Sequence, residues 1–152
     1  MNPGFSSTSG VEIALSRFNS IKVNANAGTV EVGPGLTWDQ VYKSLGPTGV
    51  NVIGGRVPGV GVAGFTLGGG RRLPWSDGSW SHMLAGYSYK SNQYGLAVDN
   101  VAGYELVLPN GTIKHVTQKD KDLWFGLRVG RQGFIQAGDA DFEWTLITGR
   151  AQ

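Results

Sequence analysis

"GGRVPGVGVAGFTLGGG" (Gly54–Gly70) places eight glycines in seventeen residues, interleaved with small apolar side chains. An ordered glycine costs roughly 0.5–1 kcal/mol against alanine in a regular element, so this density implies that bare backbone is required. Gly59, Gly61 and Gly64 fit Gly-x-Gly-x-x-Gly. A dinucleotide fingerprint, however, must open a helix and be followed about 20 residues later by an acid for the ribose. The run "FTLGGG" predicts no helix start, and without Lys-Ser/Thr after the glycines a P-loop is excluded. What survives is physical: successive unhindered N–H groups form a concave nest for an anionic phosphate. A tight loop or a close sheet crossing is the blander reading, and both stay open on these residues.

Upstream, "VNVIGG" predicts a short apolar strand feeding the glycines, which then occupy a loop at a strand end, where binding loops belong. "VEIALSRF" alternates Val11, Ile13 and Leu15, "IKVNA" continues the pattern, and "GTVEVGPG" repeats it with Val30 and Val32, which together predict a three-stranded antiparallel meander. In "LTWDQVYKSLG" the period changes. Thr37 can cap a helix whose one face holds Trp38, Val41, Tyr42 and Leu45, and Gly46-Pro47 ends it. Downstream, "VAGYELVLPNGTIKHVT" predicts a hairpin about Asn110-Gly111, with Tyr104, Leu106 and Leu108 alternating. "DKDLWFGLRVG" predicts a short helix with acids at its start and Arg128 near its end. "DFEWTLITG" predicts a final strand carrying Phe142, Trp144 and Leu146. Mixed strands and helices without βαβ alternation favour an α+β fold.

A chain of 152 residues with 40% hydrophobic and 16% charged residues is about one globular domain. Its 25 glycines point to a loop-rich fold, far from the one-third glycine of collagen. The net charge is +2 and the basic residues are scattered outside Lys119–Arg131, so nucleic acid is not an expected partner. No cysteine is present, which removes disulfides and thiolate chemistry. His82 and His115 lie far apart, so no metal site is expected. No apolar run reaches the roughly 20 residues of a membrane span, and "MNPGFSSTSG" lacks signal-peptide character. Asn110-Gly111-Thr112 would be a glycosylation sequon in a secreted protein; the hairpin turn is the preferred reading.

Four ordered blocks, "NPGFSSTSGVEIALSRFN", "GGRVPGVGVAGFTLGGG", "SNQYGLAVDNV" and "ELVLPNGT", resemble the FAD-binding domain of berberine-bridge-enzyme-like, oxygen-dependent oxidoreductases in the vanillyl-alcohol oxidase superfamily. The likeness runs from Asn2 to about Phe125. It implies a PCMH-type α+β domain of two small α/β subdomains, about 1–53 and 54–152, incomplete at the N-terminus. It also implies FAD as cofactor, with a small organic substrate and O₂ as partners of the complete enzyme. Carried over, Pro58, Gly59, Val60, Gly61, Val62, Ala63, Gly64 and Phe65 would line the diphosphate and flavin. Gly68, Gly69, Gly70, Tyr87 and Ser88 would complete the cradle, and Gly95, Asp99, Asn100 and Val101 would support the cofactor. Loop packing and capping are the alternative roles for Asp99 and Asn100.

Several features depart from the family. Its flavin-tethering Gly-Gly-His would precede the first block, and the position resembling its cysteinyl tether is Val57, so FAD is expected to bind non-covalently. Arg71–Gly86 separates the glycine triplet from Tyr87 and reads as an insertion, either a genuine loop or a translated intron. "LRVGRQGFIQAGDADFEW" replaces the family's Asn-Phe-Gly-Ile-Val passage, leaving Ile135 as its one candidate. The substrate domain would follow Gln152, so catalytic residues are not assignable and turnover by this chain alone is not expected. Many relatives are secreted, but the sequence assigns no compartment. Two other readings stay open: a remnant that binds no flavin, and a carbohydrate-binding module presenting Trp75 and Trp80 while Trp38, Trp124 and Trp144 face the core.

Overall fold

The computed structural model describes residues 8–67 and 88–128, and the backbone of 144–149. Its frame is an antiparallel sheet of five strands, β1 (Ile21–Asn24), β2 (Thr29–Val32), β3 (Val101–Val107), β4 (Ile113–Val116) and β5 (Trp144–Gly149), in the order β1-β2-β5-β3-β4. Its flanks are two hairpins: β1–β2, the part of the expected meander that forms, and β3–β4, the hairpin expected about Asn110-Gly111. Ile21 pairs with Val32, and Tyr104 with Val116. Their turns follow from sequence: Asn24 Oδ1 accepts the Ala27 N–H, and Gly111 takes φ 78° after Asn110. Strand β5 lies between the hairpins, pairing Thr29 with Gly149 on one side and Leu106 with Trp144 on the other.

The described residues also form four α-helices, α1 (Trp38–Leu45), α2 (Val62–Leu67), α3 (Ser91–Tyr94) and α4 (Lys121–Arg128), and three 3-10 turns. Helix α1 starts as its sequence requires. Thr37 is extended at the N-cap, and Gln40 Oε1 accepts its N–H at 3.0 Å. Its Trp38, Val41 and Leu45 are buried beside Val30 and Val32 of β2. Helix α4 buries Trp124 and Leu127, with the Trp124 ring edge-on to Tyr104 at 5.7 Å. One contiguous core thus runs from β2 and α1 through Val62 to β3 and α4. The α+β expectation holds, and no described helix is long and apolar enough to cross a membrane.

Three local expectations are corrected. Val11, Ile13 and Leu15 form no strand: Val11 is 91% exposed, and Leu15–Arg17 is a 3-10 turn closed by Phe18 N–H on the Leu15 carbonyl. The chain here engages the turn after β2, where Gly35 N–H bonds the Phe18 carbonyl at 3.0 Å, so alternation alone found no strand partner. "VNVIGG" is also unpaired, yet Val52, Ile53, Gly54 and Gly55 are buried; apolarity here reflects burial under α1 rather than a ladder. Finally, the glycines do open a helix. Within the stretch Val62, Phe65 and Thr66 hold helical spacing, and Phe65 N–H reaches the Gly61 carbonyl at 3.2 Å.

Candidate functional site

The glycine stretch divides by what each glycine meets. A Cβ on Gly54 would overlap the Trp38 ring, and one on Gly55 would lie 2.7 Å from Trp38 Cδ1. The indole leaves no room there. It also meets Phe65 edge-on at 5.6 Å, and its Nε1 is buried without a hydrogen-bond partner among the described residues. Gly59 holds φ 78°, a conformation that L side chains rarely adopt. Gly61 and Gly64 carry neither constraint: neither has positive φ, and, as at Gly59, the residue is exposed and nothing beyond its chain neighbours and its own helix lies within 4 Å of an added Cβ.

Backbone bonds tie this turn to the start of α1. Trp38 N–H donates to the Val60 carbonyl at 3.0 Å, Val62 N–H donates to the Leu36 carbonyl at 2.9 Å, and Thr37 bridges Gly61. Asp39 adds a side-chain bond, its Oδ1 accepting Gly59 N–H at 2.8 Å. That bond first, and the Thr37 hydroxyl second, holds the Asp39 carboxyl below its ordinary pKa. Of the leading amides of α2, Val62 is therefore committed to Leu36. Ala63 and Gly64 supply the other N–H groups that a first helical turn leaves without intrahelical acceptors. The Val62 side chain is wholly buried and belongs to the core.

The second half of the expected site comes alongside through the 3-10 turn Ala97–Asn100, which packs against α2. Here the polar side chains cap backbone. Asp99 Oδ2 accepts Leu96 N–H at 3.0 Å while Oδ1 takes Arg128 at 3.0 Å, and Asn100 Nδ2 donates to the carbonyls of Tyr94 and Leu96. Gly95, at φ 82°, gives room for the Asp99 carboxylate. Val101 is buried at the head of β3. Ser88 is buried and its N–H donates to Ser91 Oγ, while Tyr89 Oη reaches the Arg56 carbonyl at 3.4 Å. Between α1, the turn after it and Ser88–Lys90 lies a cavity of about 430 Å³ lined by Tyr42, Leu45, Val50 and Val52. Burial there pushes the Tyr42 hydroxyl up to about 12, against opposing hydrogen bonds with Ser88 and the Gly54 backbone.

Gly68, Gly69, Gly70, Tyr87, the Arg71–Gly86 segment and Ile135 lie outside the described residues, as do Trp75, Trp80 and His82. Asp39 escaped the sequence reading. Its one local signal, an acid just inside a helix cap, is that of any helix start, and its partner is twenty residues away.

Residues 1–75 match the family model described as FAD binding domain. FAD-dependent monooxygenase macF of Penicillium terrestre is 43% identical over 136 residues, 88% of this chain and 24% of the relative. FAD-dependent monooxygenase yanF of Aspergillus niger is 41% identical over 136 residues, 88% of this chain and 21% of the relative. Among solved structures, Physcomitrella patens BBE-like 1 superposes with a TM-score of 0.67 at 27% identity, covering 90% of this chain and 25% of that one. The glucooligosaccharide oxidase of Acremonium strictum, described as carrying 6-S-cysteinyl, 8α-N1-histidyl FAD, shares the fold with a TM-score of 0.65 at 24% identity, over 90% of this chain and 24% of that one. The chain thus spans about a quarter of the length of these relatives. Its residues 1–75 are thus similar to the FAD binding domain family, and its α+β fold to that of BBE-like 1.

Proposed function

We propose that this chain binds FAD, with the diphosphate seated on the backbone of Pro58–Phe65. The observation that carries the reading is the open pair Gly61 and Gly64: no described atom requires a glycine at either, and a side chain at either would fill the space that a diphosphate needs. Ala63 and Gly64 offer leading amides of α2, and Phe65, edge-on to Trp38, walls the turn. Asp99, Asn100 and Gly95 shape the neighbouring turn by capping it, and Ser88 braces α3. Gly68–Gly70 and Tyr87 would complete the cradle. The held FAD supplies two-electron chemistry, and the protein contributes position and exclusion of water.

The chain makes no cysteinyl bond to the FAD, since it contains no cysteine and Val57 stands where the resemblance would put that tether. The wider activity is oxidation of a small organic substrate with O₂ as co-substrate. The monooxygenase names of the relatives support the O₂.

Titrating the purified chain with FAD, while following flavin fluorescence and protein melting together, tests the reading. Saturable quenching with a rising melting temperature is expected. Unchanged fluorescence and melting at saturating FAD would refute it.

A further inference from the structure

A cradle of glycines is only as good as whatever fixes its shape, because each glycine is free to leave the conformation it is needed in. Backbone bonds from Trp38 and Leu36 anchor the turn at Val60 and Val62. Neither reaches Gly59, the residue at φ 78° where the chain reverses toward Gly61. Among the described residues, the side-chain bond to Gly59 comes from Asp39, whose Oδ1 accepts the Gly59 N–H at 2.8 Å across twenty residues of sequence. Asp39 itself sits in the first turn of α1, whose start is fixed by the capping box of Thr37 and Gln40. Asp39 is exposed, and no part of the core depends on it.

We infer that Asp39 is the positioning residue of the diphosphate cradle: its carboxylate fixes Gly59 and thereby the direction of the open Gly61–Gly64 backbone. The inference rests on the FAD reading above. A carboxylate accepting a backbone N–H is a charge-assisted bond, stronger than a neutral one. The competing role is that of any acid in a first helical turn, complementing the dipole of α1. The two roles separate chemically, because asparagine keeps an acceptor oxygen and loses the charge.

The test uses the whole chain with Asp39→Ala and Asp39→Asn, reading the dissociation constant for FAD and the amide exchange rate of Gly59 in the FAD-free protein. Asp39→Ala is expected to weaken FAD about fivefold or more and to speed Gly59 exchange by a similar factor, whereas Asp39→Asn, which keeps an acceptor without its charge, loses clearly less on both. Wild-type behaviour of Asp39→Ala on both readouts overturns the inference, as does an equal loss in Asp39→Asn, which assigns the effect to helix charge. If the unaltered chain binds no FAD, it is the functional reading that fails. Gly59 exchange then still decides whether Asp39 fixes the turn: acceleration by Asp39→Ala upholds it, and an unchanged rate overturns it.

Discussion

Gly54–Gly55 and Gly61–Gly64 belong to one stretch of sequence and look alike as letters, yet the structure uses them in opposite ways. The first pair lies against the Trp38 indole, where a Cβ would collide with the ring. The second pair is exposed, with empty space where a Cβ would go. Glycine in the first pair is demanded from within, by the core. In the second no described neighbour demands it, and this is the backbone on which the proposed diphosphate would sit.

The sharpest way to break this contrast is to remove the residue that imposes it. Trp38→Ala should cost about 3–5 kcal/mol, as truncation of a buried large aromatic does, and chemical denaturation would measure it. Gly54→Val should come next, at about 1–3 kcal/mol from overpacking against the same ring. If either leaves the denaturation midpoint unchanged, the first pair is not a packing feature.

Gly64→Ala should move the other way. Gly64 is exposed inside α2, so alanine there should raise stability by about 0.5–1 kcal/mol through helix propensity, while FAD affinity falls. Finding stability and FAD affinity rising together would erase the distinction between the pairs.

The smallest expected effect concerns pH. Tyr42 titrates near 12 in the folded chain against about 10 when unfolded, so the folded state holds a proton that the unfolded state has lost. Its contribution is intact below pH 10 and declines as pH rises from 10 toward 12. Tyr42→Phe should flatten that decline in melting temperature; burial raises Tyr104 in the same direction, so part of the slope should remain.

The sequence was legible where period and punctuation agreed. Helix α1 has a cap, a buried face and a Gly-Pro stop, and the β3–β4 hairpin has Tyr104 and Leu106 alternating ahead of Asn-Gly. Both appear as expected. Val11–Leu15 had alternation without a partner, a lack that a local pattern cannot reveal. Helix α2 was hidden because glycine argues against helix, while the buried Val62 and the Thr66 hydroxyl, which bonds the Val62 carbonyl at 2.8 Å, stabilise it through packing and an internal bond. The glycine stretch itself was legible as a demand for bare backbone. Which glycines served the core and which lay open depended on where Trp38 came to rest.

The placing of β5 between the two hairpins has a consequence in time. Each hairpin closes from neighbouring residues and can form as soon as it is synthesised, but the strand that joins them comes from the far end of the chain, with Thr29 waiting for Gly149. Until it arrives, β2 and β3 each present a bare edge, the kind of surface on which chains pair with strangers. Assembly of this sheet is therefore a late, long-range event. It should be slow and sensitive to crowding by its own copies during synthesis.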